Sequence, residues 1–457
     1  MKQSKACFLL SLLLSGCSIG PNYERPEVNL PKQWSVPSDD VQKHPDLWWK
    51  NYQDPVLTNL VEQALAANFD LQIAVEKIKE TRAGYDAQLA SWLPTIGLES
   101  GVQRDRNVFP AFGLKKPYDT WKAGYDTTWE IDIFGGNRRL IEAAEAQAIG
   151  AEWGLKAAQQ IIVSEVIRTY FQYQEFKELS KITAETTVNQ DETARLVSLK
   201  LKAGGSSVFD NHRAAAQAYA TAADAPKYAT AAEQARQKLM VLLGEKPDLT
   251  KLDTATPYLG NLKLELDSPL EIIRSRSDII IAEQELAAAT YMTGVAISQM
   301  YPKISIQGFL GQMSTLQSNL MESANKSFTI AGGIYLPLFS FGRLQKQVDA
   351  ADARQQQALF NYKKTVFSAI AEIETLSVAF NNEQKRYTHL KLATENAGHA
   401  RDIAKKQYEE GLISLFETLE VERTFYGLQS HLAESKANLG ITYSDLQKAL
   451  GRGRGGS

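Results

Sequence analysis

The chain has only two cysteines in 457 residues, Cys7 and Cys17, so no framework of several disulfides holds it together. No run of roughly 18 apolar residues occurs, which excludes a membrane-spanning helix. It does not exclude a β-barrel, whose strands alternate and never look continuously apolar. Charge of one sign is also missing. The 50 Lys and Arg and 53 Asp and Glu leave a net charge of −3, and no basic surface points to nucleic acid. The five histidines, His44, His212, His389, His399 and His431, are scattered without metal-ligand spacing. There is no P-loop and no nucleophile elbow. The sequence therefore reads as a non-enzyme without a cofactor, and any energy its work needs comes from a partner.

What is present begins at the N-terminus. Lys2 and Lys5 precede the apolar stretch Ala6 to Leu14, too short to span a bilayer but suited to a signal-peptide core. The stretch ends in Leu14-Ser15-Gly16-Cys17, which resembles the bacterial lipobox. That resemblance implies a lipoprotein signal peptide over residues 1–16 and a covalent lipid on Cys17. Ser18 in place of Asp implies sorting to the outer membrane. Each buried CH₂ of the acyl chains contributes about 0.8 kcal/mol. A plain secretory signal with an incidental cysteine is the alternative. Residues 17–55 carry Pro21, Pro26, Pro31, Pro37, Pro45 and Pro55 without periodicity and read as an extended surface arm, tacked down by Leu47-Trp48-Trp49.

The remainder repeats itself. The hexapeptide at 142–147, EAAEAQ, matches DAADAR at 349–354, an offset of 207. Gly204 and Gly411, Phe209 and Phe416, and Leu243-Gly244 and Leu450-Gly451 stand at the same offset. This defines repeat 1 at 56–244, a linker at 245–267, repeat 2 at 268–451 and a flexible tail at 452–457. Each repeat reads helix, strand, strand, long helix, turn, helix, a mixed α and β fold with four strands per chain.

The strands are clearest at 121–133. Trp121, Ala123, Tyr125, Thr127, Trp129, Ile131 and Ile133 share one face; Lys122, Gly124, Asp126, Thr128, Glu130 and Asp132 share the other. In repeat 2, Phe328, Ile330, Gly332, Ile334, Leu336 and Leu338 face one way. Segments 95–104 and 303–311 are their weaker partners, and 105–120 and 313–327 read as hairpin loops. A soluble sandwich explains the alternation equally well. If the sheet lies in lipid, however, four strands cannot close a barrel, since small barrels need about eight, and open edges are not tolerated there. The chain would then have to oligomerise, and three copies would supply twelve strands.

Arg343 to Glu410 contains no proline, and a helix of that length spans roughly 100 Å. Val366, Ile370, Ile373, Phe380, Tyr387 and Leu390 recur at three, four or seven, a coiled-coil-like seam, with Val163, Val166, Tyr170 and Tyr173 placed equivalently in repeat 1. Pro226 is expected to interrupt and kink its helix.

Lipobox, proline-rich arm, duplicated strand–strand–long-helix plan and glycine-tipped hairpins together resemble the TolC family of outer-membrane efflux proteins, in its OprM-like lipoprotein branch. The opening Cys17-Ser18-Ile19-Gly20-Pro21-Asn22-Tyr23 resembles the mature start of that branch, and 408–420 resembles the family's second hairpin tip. The resemblance implies a homotrimer, a 12-stranded transmembrane β-barrel and an α-helical tunnel. It also implies docking onto a periplasmic membrane-fusion adaptor served by an inner-membrane efflux pump, with passage of drugs or other small molecules. An outer-membrane duct of a protein-secretion system and a non-conducting structural lipoprotein are the competing readings. The family pattern places a periplasmic gate at Phe416, Glu417 and Glu420. The two acids are three apart and share a helix face, and crowding in a trimer would raise some of their pKa values; by spacing alone a solvated charged face explains them too. Adaptor contact is implied at Gly204, Gly205, Ser206 and Ser207 and at Gly411, Leu412, Ile413 and Ser414, with Asp210 and Asn211 beside them. Tyr408 is implied in packing of the closed tip.

Overall fold

The computed structural model describes residues 18–36, 47–106, 117–254, 258–260 and 262–453. The signal peptide and Cys17 lie outside the described residues. The chain forms two compact units, residues 1–28, 77–152 and 280–364, and residues 29–76, 153–279 and 365–457.

The elements follow the duplicated plan. In the first repeat they are α1 (Pro55–Ala67), α2 (Phe69–Ala90), β1 (Thr95–Asp105), β2 (Tyr118–Ile131), α3 (Gly136–Lys202) and α4 (Val208–Leu243). The second repeat has α5 (Pro269–Ser275), α6 (Ser277–Ser298), β3 (Lys303–Ser314), β4 (Lys326–Tyr335), α7 (Arg343–Glu409) and α8 (Leu415–Ala449). Helices α3 and α7 each run 67 residues. Helix α4 continues through Pro226, so the expected interruption does not occur. No helix among the described residues is long and apolar enough to cross a membrane.

In the first unit the strands form one antiparallel sheet in the order β1-β2-β3-β4. Its register puts Leu98, Tyr125, Leu310 and Phe328 in one row across all four strands. Ile96, Thr127, Gly308 and Ile330 make the adjacent row. Period-two alternation thus becomes a continuous apolar face. That face is uncovered: the four residues of the first row are 78, 61, 65 and 76% exposed. The opposite face is polar but is not a bare acidic wall. Lys122 Nζ pairs with Glu99 at 2.5 Å and Lys303 Nζ with Glu130 at 3.5 Å. Gly124 and Gly311 cross there so closely that a Cβ on Gly124 would lie 2.5 Å from the Gly311 Cα.

In the second unit the core gathers residues from both repeats and from segments between them. The stretch Trp48–Tyr52 is a 3-10 helix with Trp48, Trp49 and Tyr52 buried, so the end of the expected surface arm is core instead. Each large aromatic side chain buries about 150–250 Å², which favours the core over a surface contact. The linker also contributes, with Leu252, Leu259, Leu262, Leu264 and Leu266 buried. Arg452, placed in the flexible tail by sequence, donates to the Glu265 carbonyl at 2.9 Å and reaches Asp267 at 3.3 Å. Of the expected seam on α7, Val366, Ile373 and Phe380 are buried together with Ala369, while Ile370, Tyr387 and Leu390 are half-buried.

Local signals explain the helix starts. Asp54 caps α1, accepting from the amides of Val56 at 2.8 Å and Leu57 at 3.2 Å, with Pro55 at the first helical position. Its second carboxylate oxygen accepts the Tyr170 hydroxyl from α3. Tyr52 donates to the Gly440 carbonyl at 2.7 Å. Gly440 on α8 lets the Phe171 ring lie against backbone, since a Cβ there would sit 2.4 Å from the ring. Gly440→Ala is therefore expected to overpack this core, costing about 1–3 kcal/mol. Thermal or chemical unfolding of the purified chain checks it, with Gly427→Ala as control, because no atom lies within 4 Å of a Cβ at that position.

Candidate functional site

Two groups of residues carry the functional reading: the helical tips in the second unit and the docking of the N-terminal arm in the first. At the first tip, the chain turns out of α3 at Gly204, just past the helix end, with φ +78°. The Gly204 amide donates to the Leu201 carbonyl at 3.0 Å and the Gly205 amide to the Lys200 carbonyl at 2.8 Å. At the second tip, Gly411 also has φ +78°. Its amide donates to the Tyr408 carbonyl at 3.1 Å, and Leu412 donates to the Gln407 carbonyl at 2.8 Å. Both turns are thus the same left-handed helix stop, a conformation that glycine adopts without a Cβ penalty.

The next helices start alike. Ser207 caps α4, accepting from the Asp210 amide at 3.0 Å and donating to the Asp210 carboxylate at 2.7 Å. Ser414 caps α8, and here the box is reciprocal. The Glu417 carboxylate accepts from the Ser414 amide at 2.8 Å and hydroxyl at 2.7 Å, while the Glu417 amide donates back at 3.3 Å. Gly204 to Ser207 and Gly411 to Ser414 form the turns that join the paired helices, α3 to α4 and α7 to α8. The Asn211 amide closes the first turn of α4 by donating to the Ser207 carbonyl at 3.2 Å.

The tips pack on each other through buried Val197, Ala214 and Leu415, with Tyr408 and Leu419 alongside. Lys200 Nζ stands 4.0 Å above the Tyr408 ring, and the Arg213 guanidinium stands 4.6 Å from the Phe416 ring. The second hairpin's two aromatics therefore each hold a cation of the first. Arg213 lies 207 positions before Glu420, so the duplication points to it although sequence reasoning did not single it out.

The three gate positions fare differently. Phe416 and Glu420 lie on the exposed side of α8. Glu420 pairs with Arg423 at 2.6 Å. Glu417 is exposed too, but its carboxylate is turned back onto its own helix start. Hydrogen bonds from the Ser414 backbone and then its hydroxyl hold the Glu417 carboxyl below its ordinary value. Further along α8, Glu422 is buried, and burial pushes its carboxyl up against the pull of Lys405 and Arg401.

The arm is clasped by one buried arginine. Arg139, 2% exposed, reaches the carbonyls of Ile19 at 3.3 Å and Gly20 at 3.4 Å, the Asn22 side chain at 2.6 Å and Glu142 at 2.8 Å. The Ile19 amide donates to the Phe134 carbonyl at 3.2 Å. Gly20 has φ +96°, and its backbone crosses Gly294 so tightly that a Cβ would lie 2.5 Å from the Gly294 Cα. Arg25 then forms a two-pronged bond to Glu283, its Nε at 2.9 Å. The residues just after Cys17 are thus bonded into the first unit, a role for Arg139, Arg25 and Glu283 that spacing did not reveal.

Two outcomes follow from this geometry. Arg139→Met leaves two arm carbonyls without their donor, so limited chymotrypsin digestion should cut after Tyr23 far faster than in the parent chain. Because the folded pKa of Glu417 is depressed, the stability it contributes is present above the ordinary carboxylate value of about 4.3 and lost as pH falls through the lower folded value. Hydrogen-exchange protection at the Glu417 and Thr418 amides should therefore hold down to about pH 4.3 and drop only below it, whereas Glu417→Ala loses that protection at every pH.

Known proteins share this plan along their whole length. The family model described as outer membrane efflux protein matches residues 60–245 and 269–452, one span in each repeat. The cation efflux system protein CusC of Escherichia coli O6:H1 is 27% identical over 459 residues, 98% of this chain and 98% of its own. The probable outer membrane lipoprotein SilC of Salmonella typhimurium is 27% identical over 455 residues, 96% of each. The solved outer-membrane channel OprN aligns with a TM-score of 0.87 at 28% identity, covering 96% of this chain and all of its own. With both repeats matched and the fold shared over nearly every residue, the chain belongs to the outer membrane efflux protein family.

Proposed function

We propose that this chain is the outer-membrane duct of a tripartite efflux system, a homotrimer that passively conducts drugs or other small molecules outward. The observation that carries the reading is the sheet. One face is apolar across four strands and uncovered, as a lipid-facing wall is, and the other is polar. Strands β1 and β4 leave free edges, and lipid does not tolerate unpaired backbone. Three copies joined edge to edge would close twelve strands. The printed name of SilC, probable outer membrane lipoprotein, supports acylation of Cys17, and in this reading the clasped arm links the lipid to the fold.

The helical tips are the end that meets a periplasmic adaptor, which in turn is served by an inner-membrane pump. In this reading Phe416 and Glu420 project from α8 into the tunnel and narrow it. Glu417 stabilises the tip that carries them by capping α8. A ring of Glu420 carboxylates favours cations, moderated by Arg423 on the next turn.

Planar-bilayer recording of the purified mature protein, with oligomer mass measured on the same sample, tests this. A trimer with small, cation-selective conductance is expected. Glu420→Gln should lower the cation-to-anion permeability ratio by about twofold or more, and Phe416→Ala should raise conductance. A monomer, or a trimer that never conducts in either variant, would sink the proposal in favour of a structural lipoprotein.

A further inference from the structure

The second unit holds a cavity of about 400 Å³ between α3, α7 and α8. Phe171 and Ile182 of α3, Tyr387 of α7 and Leu432 of α8 give it apolar and aromatic walls. Glu175 and Glu178 of α3 and Lys436 of α8 are its charged lining residues. The volume falls in the range of about 300–1,000 Å³ typical of small-molecule sites.

Glu175 is the informative residue. It is half-buried, and among the described residues its carboxylate makes no hydrogen bond and no ion pair. Burial, and then the nearby Glu434, push its carboxyl up to about 7. The fold thus half-buries a carboxylate without supplying the counter-charge that ordinarily accompanies a buried one. Lys436 lines the same cavity but lies beyond ion-pairing distance, since Glu175 has no such contact, and Glu434 is engaged by His431 at 3.3 Å. Among the described residues there is no group of three His, Cys, Asp or Glu able to hold a metal ion. A bare metal therefore does not fit the cavity, whereas a cation carrying its own apolar body does. Its charge would meet Glu175 and its body the aromatic walls, which attract cations through their ring faces.

We infer that this cavity is a binding site for a monovalent organic cation with an apolar, ring-bearing body, with Glu175 as its counter-charge, Phe171 and Tyr387 as its walls, and Lys436 as an opposing charge that limits affinity. The inference goes beyond conduction: the site is defined within one chain's second unit and stands whether or not the assembled protein forms a pore.

The test is equilibrium binding of ethidium to the detergent-solubilised full-length protein at pH 8, read by fluorescence anisotropy, with uncharged phenanthridine as the shape control. Saturable ethidium binding is expected. Glu175→Gln, which keeps the side chain's size, should weaken it about tenfold, the loss of one charge-assisted contact. Lys436→Gln should tighten it, and neither change should alter phenanthridine binding. The opposite signs of the two variants separate a charge-reading site from general loosening of the helices. The inference is overturned if the parent chain shows no saturable ethidium binding, if Glu175→Gln binds within twofold of it, or if phenanthridine responds to Glu175→Gln as strongly as ethidium does.

Discussion

A backbone amide or carbonyl in hydrocarbon has no water to turn to, and leaving one unpaired costs several kcal/mol. A sheet of four strands ends in two free edges, at β1 and β4. The exposed apolar face built from Leu98, Tyr125, Leu310 and Phe328 suits lipid. In the proposed duct each chain is an arc of a wall, and its edges are satisfied by other copies. The glycine crossing of Gly124 and Gly311 belongs to the same problem, because closing a barrel requires strands to tilt and bend, and glycine permits close approach.

The duplication meets this constraint with little new invention. Each repeat contributes one hairpin of strands and one pair of long helices, and the middle pairing, β2 with β3, joins the repeats into one sheet. The helical tips show how literal the copying is. Gly204 and Gly411 have the same φ, the same two reversed hydrogen bonds precede them, and a serine follows each to cap the next helix. The copies differ at the tips, at two positions in particular. Asp210 in the first tip is replaced by Glu417 in the second, long enough to reach back to the Ser414 amide, and Arg213 is replaced by Glu420. The first hairpin's cations, Lys200 and Arg213, end up on the second hairpin's aromatics, Tyr408 and Phe416.

The core of the second unit is where the two copies and the connecting segments become one object. Trp48, Tyr52, Phe171, Phe380 and Tyr443 come from the arm's end and from three long helices, and their rings pack edge to face or tilted. Buried polar links accompany them: Asp54 takes the Tyr170 hydroxyl while capping α1, and Tyr52 donates to Gly440. Such links make the packing specific, because a buried donor or acceptor without its partner costs more than the bond contributes.

Periodicity and repetition determined the architecture. Alternation at 121–133 settled which residues share a face, proline-free heptad spacing after Arg343 marked the long helix, and the offset of 207 located both tips. These are local signals, written within one turn or one strand. Side-chain partnerships across the fold were not legible. Nothing near Arg139 announces that it binds carbonyls of residues more than a hundred positions away, and Glu417, read as a tunnel acid, also bonds back to its own helix cap. The linker leucines and Arg452 read as connection and tail because burial there is imposed by surfaces brought from elsewhere in the chain. Sequence by itself decided the order of the main elements, since backbone conformation depends on neighbouring residues, while their ends moved by a few residues, the strand expected at 121–133 running Tyr118–Ile131. The tertiary structure alone decided which charges are paired, capped or left waiting, since those energies depend on what folding brings within a few ångströms.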